Sequence, residues 1–211
     1  MQLIGMLDSP YVRRTAISLK LLGVPFEHRA VSVFSTFEQF QTLNPVVKAP
    51  TLICDDGEVL MDSNLIIDYA EAIPAKQRSL LPTNLQQRQH ELRMIGLALA
   101  ACEKAVQTVY ELNLRPPEKH HEPWLTRIRG QLLAAVAGLE IEVSKRAPSL
   151  HAEKISQAGV TAAVMWRFVQ MMLPELVVAA KYPSLQAFST AAEKLPAFAA
   201  FPPDGPGVPP L

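Results

Sequence analysis

Two regimes of hydrophobic patterning divide the chain. Up to about Ile73, short apolar blocks are separated by turn residues; beyond Thr83, apolar residues recur every three or four positions in long stripes. The run Gln2-Leu3-Ile4-Gly5-Met6-Leu7 has the length of a buried strand. Thr15 to Gly23 comes next as a helix, with Pro10 suited to its first position and Ser9 as the expected N-cap. Gly23 ends the helix and Pro25 blocks its continuation. Phe26 to Val31 reads as a second strand, and a β-α-β unit makes the two strands parallel. Ser35 and Glu38 fit a capping box for a short helix that Asn44-Pro45 terminates. Thr51 to Cys54 is a strand opened by Pro50, Asp55-Asp56-Gly57 a hairpin turn, and Glu58 to Met61 the antiparallel return. Asp62-Ser63 then starts a helix, Asn64 to Ala72, with Leu65, Ile66 and Tyr69 as its apolar face. The first domain is thus predicted to be α/β, with a mixed four-stranded sheet.

Ile73 to Thr83, with Pro74 and Pro82 around a polar middle, reads as a linker. The remainder of the chain reads as helix. Leu92, Ile95, Leu99, Cys102, Val106 and Val109 form one seam, and Ile128, Leu132, Val136, Leu139 and Val143 another, in a helix from Trp124 to Arg146. A third helix runs from Ser156 through Val160, Val164, Phe168 and Met171, and a fourth from Ser184 to Lys194. The predicted division is 1–76 for the α/β domain, 77–84 for the linker and 85–211 for an all-α domain, with a Pro-rich extended tail over 201–211.

Composition narrows the function classes. Twenty basic and twenty acidic side chains balance to zero net charge, which argues against a nucleic-acid partner bound by phosphate neutralisation. No apolar stretch reaches membrane-spanning length. Met1-Gln2-Leu3-Ile4 leads into a strand without a basic leader, so a cytoplasmic setting is expected. Cys54 and Cys102 lie far apart with no partner motif; they make no disulfide framework, CxxC pair or metal site, and read as small buried hydrophobes.

Three stretches carry candidate chemistry. Ser9 stands at a strand-to-helix turn, beside unpaired backbone N–H groups and the positive end of the helix dipole, where an anion is held. It lies at the C-terminal edge of the first strand, where α/β folds bind ligands. Lys48-Ala49-Pro50 opens a strand with a proline; a cis bond there, found for about one X–Pro bond in twenty, would present the N–H and C=O of Ala49. Asp62-Ser63 offers a carboxylate, a hydroxyl and backbone donors at a second helix start. Each also has a plainer reading: Ser9 and Asp62-Ser63 as helix caps, Lys48 as a solvated lysine. No Gly-x-Ser-x-Gly elbow surrounds Ser9, and His120 and His121 sit in a polar loop, so a serine hydrolase is not supported.

Taken in order, these stretches resemble a bacterial glutathione S-transferase nearly end to end. Ser9-Pro10-Tyr11-Val12-Arg13 is similar to the serine-type catalytic segment. Asn44-Pro45-Val46-Val47-Lys48-Ala49-Pro50-Thr51-Leu52 resembles the loop into the cis-proline strand, and Asp62-Ser63 the acidic-Ser pair for the γ-glutamyl end of glutathione. Leu80-Leu81-Pro82 resembles the interdomain linker; Tyr182-Pro183-Ser184-Leu185 and Leu195-Pro196-Ala197-Phe198 resemble the last helices. The resemblance implies a thioredoxin-like domain, an all-helical domain, a homodimer and a cis bond before Pro50. It departs from the family at Gly159, where an Asp normally completes the cap begun by Ser156; the loss is worth about 1 kcal/mol of helix-start stability. The absence of a cysteine near Ser9 argues against the cysteine-type members.

The implied chemistry is detoxification by glutathione transfer. Ser9 donates to the glutathione sulfur as an electrostatic stabiliser. Asp62 and Ser63 take the γ-glutamyl amino and carboxylate groups. The Ala49 backbone, next to Pro50, pairs with the cysteinyl backbone in strand-addition fashion, and Lys48 is a candidate for a carboxylate. Arg13 either supports the turn through a carboxylate or stands exposed. Glutathione is co-substrate and no metal is called for. Tyr11, Tyr110, Met165 and Trp166 are candidates for the wall of an electrophile site between the domains, although helical spacing favours core packing for all four. An aromatic halide, an organic peroxide or an activated alkene would suit it. The competing reading is a non-catalytic member of the same fold that binds a protein partner, as stringent-starvation-type proteins do.

Overall fold

The computed structural model describes residues 1–74, 77–205 and 207. The end of the predicted tail, 208–211, lies outside the described residues. The chain divides into two compact units, Met1–Leu80 joined by Pro196–Pro206, and a second built on Leu81–Leu195.

The first unit holds β1 (Gln2–Ile4), α1 (Pro10–Leu22), β2 (Glu27–Arg29), α2 (Phe37–Leu43), β3 (Thr51–Ile53), β4 (Val59–Met61) and α3 (Ser63–Ala72). The sheet order is β2-β1-β3-β4, with β1 parallel to β2 and the other two pairs antiparallel. Successive side chains of a strand point to opposite faces. Leu3 accordingly packs with Val12, Ala16, Leu19, Ile66 and Ala70 of α1 and α3, while Ile4 packs with Val31 and Phe40 on the α2 side. Gly23, at φ 75°, caps α1 in the left-handed conformation that glycine tolerates. The capping box at Ser35 does not form: the N-cap is Thr36, and its hydroxyl turns back to the Ser32 backbone, accepting from its N–H and donating to its carbonyl.

The segment Pro196–Pro206, which the sequence reading attaches to the helical domain, belongs to the first unit. Its short helix α8 (Pro196–Ala199) lies against α1. Arg13 is the reason. It is buried, its Nε donates to the Phe201 carbonyl at 2.8 Å, and its guanidinium sits over the Phe198 ring. Phe201 stacks on Phe26, and the Asp8 N–H donates to the Asp204 carbonyl at 3.1 Å. Arg13 is therefore neither an exposed nor an inert helix residue.

The second unit is helical: α4 (Leu85–Asn113), α5 (Glu122–Lys145), α6 (Gln157–Met172) and α7 (Pro183–Ala192), with single 3-10 turns at Pro117–Lys119 and Ala179–Lys181. α4 packs on α5 and α6, and α7 covers α6 and α5. The α5 seam is buried as its spacing predicts. The α4 seam is rotated from the predicted one: Ile95, Cys102 and Val109 are buried, but Met94, Ala98, Ala101 and Ala105 complete the stripe, and Leu92 is exposed. Alanines admit close approach of α5 and α6, so small residues occupy the interface in place of the larger Leu92. Among the described residues no helix is long and apolar enough to cross a membrane.

Candidate active site

The strand register assembles the site. Ile4 of β1 stands opposite Thr51 of β3, and Thr51 opposite Met61 of β4. Gly5, Pro50 and Asp62, each one residue beyond these, therefore lie along a single edge of the sheet. Lys48-Ala49-Pro50 and Asp62-Ser63, far apart in sequence, meet there, and the Asp8-Ser9 turn connects the same end of β1 to α1. Gly5 tightens the corner. It has φ 141°, and a Cβ on it would fall 2.5 Å from Val12 and 3.2 Å from the Ala49 Cβ.

Ser9 is the N-cap of α1, half-buried, with extended backbone. Its Oγ accepts from the Val12 N–H at 3.4 Å, a long bond that leaves the hydroxyl proton available to an acceptor. The first turn of α1 carries no acidic residue to oppose the positive helix end.

The Ala49–Pro50 peptide is cis. Among the described residues no backbone hydrogen bond engages the amide or the carbonyl of Ala49. The loop before it is shaped by the buried Asn44, whose Nδ2 donates to Thr51 Oγ1 at 2.8 Å; that hydroxyl in turn donates to the Lys48 carbonyl at 2.7 Å. Asn44 Oδ1 accepts from the Val46 N–H at 3.0 Å. Sequence reasoning gives Asn44 only the role of a helix terminator. The Lys48 side chain is exposed.

Asp62 is the N-cap of α3, and its Oδ1 accepts from the Asn64 N–H at 2.9 Å. Its backbone sits at φ 76° and ψ 128°, a region that residues with a Cβ avoid at a cost of about 1–3 kcal/mol. Ser63, next to it, is buried, and its Oγ accepts from Nη1 of Arg14 at 2.8 Å. The same nitrogen donates to Asn64 Oδ1 at 2.9 Å. Arg14 is buried although its neighbour Arg13 is buried too; the two diverge, one toward α3 and one toward α8. The sequence reading assigns Arg14 nothing, and the only signal for it is an arginine set between the apolar positions Val12 and Ala16.

Of the four candidate wall residues, Tyr11 is half-buried on the first turn of α1 and Tyr110 is 39% exposed. Met165 and Trp166 are interior, at 0% and 2% exposure. Trp166 donates from Nε1 to Gln186 at 2.9 Å and meets Tyr182 edge-on. Both belong to the core of the helical unit and leave the list of wall residues. Among the described residues no cluster of His, Cys, Asp and Glu is placed to hold a metal ion.

Residues 3–78 match the family model described as glutathione S-transferase, N-terminal domain. Over this stretch the chain is similar to the glutathione S-transferase family. A solved glutathione transferase family member from Pseudomonas fluorescens Pf-5, with bound S-(propanoic acid)-glutathione, is 28% identical with a TM-score of 0.80 and coverage of 100% of both chains. The same protein is also known with bound glutathione. The GST-like protein YibF of Escherichia coli K12 is 27% identical over 140 residues, 66% of this chain and 68% of that protein. Glutathione S-transferase U4 of Arabidopsis thaliana is 31% identical over 81 residues, 38% of this chain and 36% of its own length. The four-stranded mixed sheet and the helical second unit are the family's fold.

Proposed function

We propose that the chain is a serine-type glutathione transferase that binds glutathione along the edge of its sheet and holds the thiol as thiolate. The observation that carries this reading is the register that aligns Gly5, Pro50 and Asp62. The unengaged Ala49 backbone precedes Pro50, the Asp62-Ser63 corner follows β4, and Ser9 begins the helix that follows β1, which supports the reading of one shared site. A tripeptide needs such a set: a donor for its sulfur, a strand partner for its middle residue and polar groups for its charged γ-glutamyl end. Lys48, exposed beside Ala49, is the cation for a remaining carboxylate.

A free thiol has a pKa near 8.5 and is mostly protonated at neutral pH. A hydrogen bond to a charged group contributes about 1.5–3 kcal/mol and a helix N-terminus about 0.3–1. Together they lower the bound thiol by roughly one to three pK units, enough to make the thiolate the main form. Ser9 supplies the first and α1 the second. The thiolate then attacks a hydrophobic electrophile, displacing halide from an aromatic halide or adding to an activated alkene, or it attacks the O–O bond of a peroxide, releasing the alcohol and a glutathione sulfenic acid that a second glutathione converts to the disulfide and water. Tyr11, two residues from Ser9, is the nearest candidate in the chain for apolar contact with that second substrate.

Ultraviolet difference absorbance tests this. The protein is titrated with glutathione from about pH 5 to pH 9, a range that brackets the free thiol, for the parent and Ser9→Ala. A thiolate band well below pH 8, shifted upward in the variant, is expected. No bound thiolate at any pH overturns the reading and favours the partner-binding alternative, which a pull-down then addresses. The reading also carries a homodimer. Leu65 and Tyr69, one turn apart on α3, leave apolar surface exposed for it, and a monomer mass by light scattering would refute it.

A further inference from the structure

Arg14 is one of the largest buried side chains in the chain, and it carries a charge. Burying a guanidinium is costly unless its donors are well used. Here Nη1 serves two acceptors that belong to consecutive residues, Ser63 Oγ at 2.8 Å and Asn64 Oδ1 at 2.9 Å. Those residues open α3, immediately after the positive-φ Asp62. A strained backbone of this kind persists only where its surroundings fix it. Asp62 Oδ1 on the Asn64 N–H fixes it from one side, and Arg14 fixes it from the other.

The hydrogen-bond directions carry a second consequence. Arg14 can only donate, so the Ser63 oxygen is an acceptor toward it. The Ser63 proton is thereby directed away from the interior. A cation behind the hydroxyl also strengthens its donation to an anion in front.

We propose that Arg14 is a positioning residue for glutathione affinity: it orients Ser63 as a donor to the γ-glutamyl carboxylate and locks the Asp62-Ser63 corner in the binding geometry. This rests on the glutathione reading given above. It assigns Arg14 to the binding of the γ-glutamyl end and leaves thiol ionisation to Ser9.

Calorimetric titration with glutathione of the parent, Arg14→Met, Arg14→Lys, Ser63→Ala and the Arg14→Met/Ser63→Ala double variant tests it, with thiolate absorbance recorded for each. Arg14→Met is expected to weaken binding about tenfold, at the level of one charged hydrogen bond. Arg14→Lys, which keeps the charge but carries it on a shorter side chain that reaches the two acceptors of Nη1 less well, should fall between it and the parent. In the Ser63→Ala background the further loss from Arg14→Met should shrink, because one of the two acceptors of Nη1 is already gone. The pKa of the bound thiol should stay where the parent has it. A parent that does not bind glutathione overturns the function and this inference together. A parent that binds, with folded Arg14 variants that bind equally well, overturns this inference alone. So does a full multiplication of the two single losses, or a displaced thiol pKa. Should Arg14→Met not fold, Arg14→Lys decides: unchanged affinity in it refutes the positioning role.

Discussion

Glu91 of α4 accepts the hydroxyl proton of Ser156, the N-cap of α6, at 2.9 Å. Its other oxygen accepts from the Ala158 N–H at 3.1 Å, while the Ser156 oxygen accepts from the Gly159 N–H at 3.3 Å. The carboxylate that Gly159 lacks is thus supplied from a neighbouring helix. A Cβ at Gly159 would lie 3.0 Å from the Ile155 side chain and 3.1 Å from that of Pro148, tight contacts that those side chains must relieve by shifting. The helix-start deficit expected from Gly159 is offset by this arrangement. Glu91→Ala should lower stability by about 1–2 kcal/mol, the range of a lost cap. Gly159→Asp should lower it as well. Urea unfolding of both variants checks this, and a gain from Gly159→Asp would show that the cap is incomplete as it stands.

Ser9→Ala should reduce the thiol-transfer rate by about 10- to 1000-fold, as for loss of one donor to a developing anion, while the fold persists. The Val12 N–H bond it loses is long, so the stability cost should be small. Single-turnover rates with a chromogenic aromatic halide, beside circular dichroism, separate the two effects. Equal rates would remove Ser9 from the chemistry.

Asp62 combines an unfavourable backbone with a useful carboxylate, and two substitutions separate them. Asp62→Gly relieves the backbone at φ 76° and deletes the side chain; Asp62→Ala deletes the side chain and keeps the strain. Both should raise the Michaelis constant for glutathione. Asp62→Gly should be the more stable of the two by about 1 kcal/mol or more. An unchanged Michaelis constant in both would take Asp62 out of the site.

Cys54 behaves oppositely to a catalytic thiol. Burial raises its pKa; the hydrogen bond with Tyr69 pulls it down, and Asp56 and Asp55 push it up. Tyr69 is raised in its turn, chiefly by Cys54. A thiol whose folded pKa exceeds its unfolded value near 8.5 contributes stability in full below that pH and loses it as the pH rises through the folded value. Thermal midpoints should therefore decline above about pH 8.5, and less so in Cys54→Ala. Alkylation by iodoacetamide at neutral pH should be slow without denaturant. Rapid labelling would contradict the burial.

Much of this was legible in the sequence because it is local. Strand alternation, Pro10 after Ser9, Gly23 after Leu22 and Asp62 before Ser63 each act within a few residues, and each sets its element as its type predicts. The capping box at Ser35 misses because Ser32 and Thr36 bond to each other instead. The illegible part depends on distant partners. Arg13 and Arg14 look like two solvated helix arginines until their acceptors, 188 and 49 residues away, are known. Glu91 is 65 residues from the hydroxyl it holds. Met165 and Trp166 lie on α6, where helical spacing favours core packing over a place in the electrophile wall, and both are buried.

The packing of Pro196–Pro206 onto the first unit has a consequence for the order in which the molecule is made. Domains generally acquire structure N-terminal first as the chain leaves the ribosome. Here the Phe201 carbonyl that holds Arg13, the ring that covers Phe26 and the Asp204 carbonyl beside the Ser9 turn are all translated after the whole helical unit. The nascent α/β half must wait, with a buried-type arginine and a phenylalanine uncovered, until these last contacts arrive. Translation thereby acts as a timer: the turn that bears Ser9 is completed only once the helical unit has been synthesised.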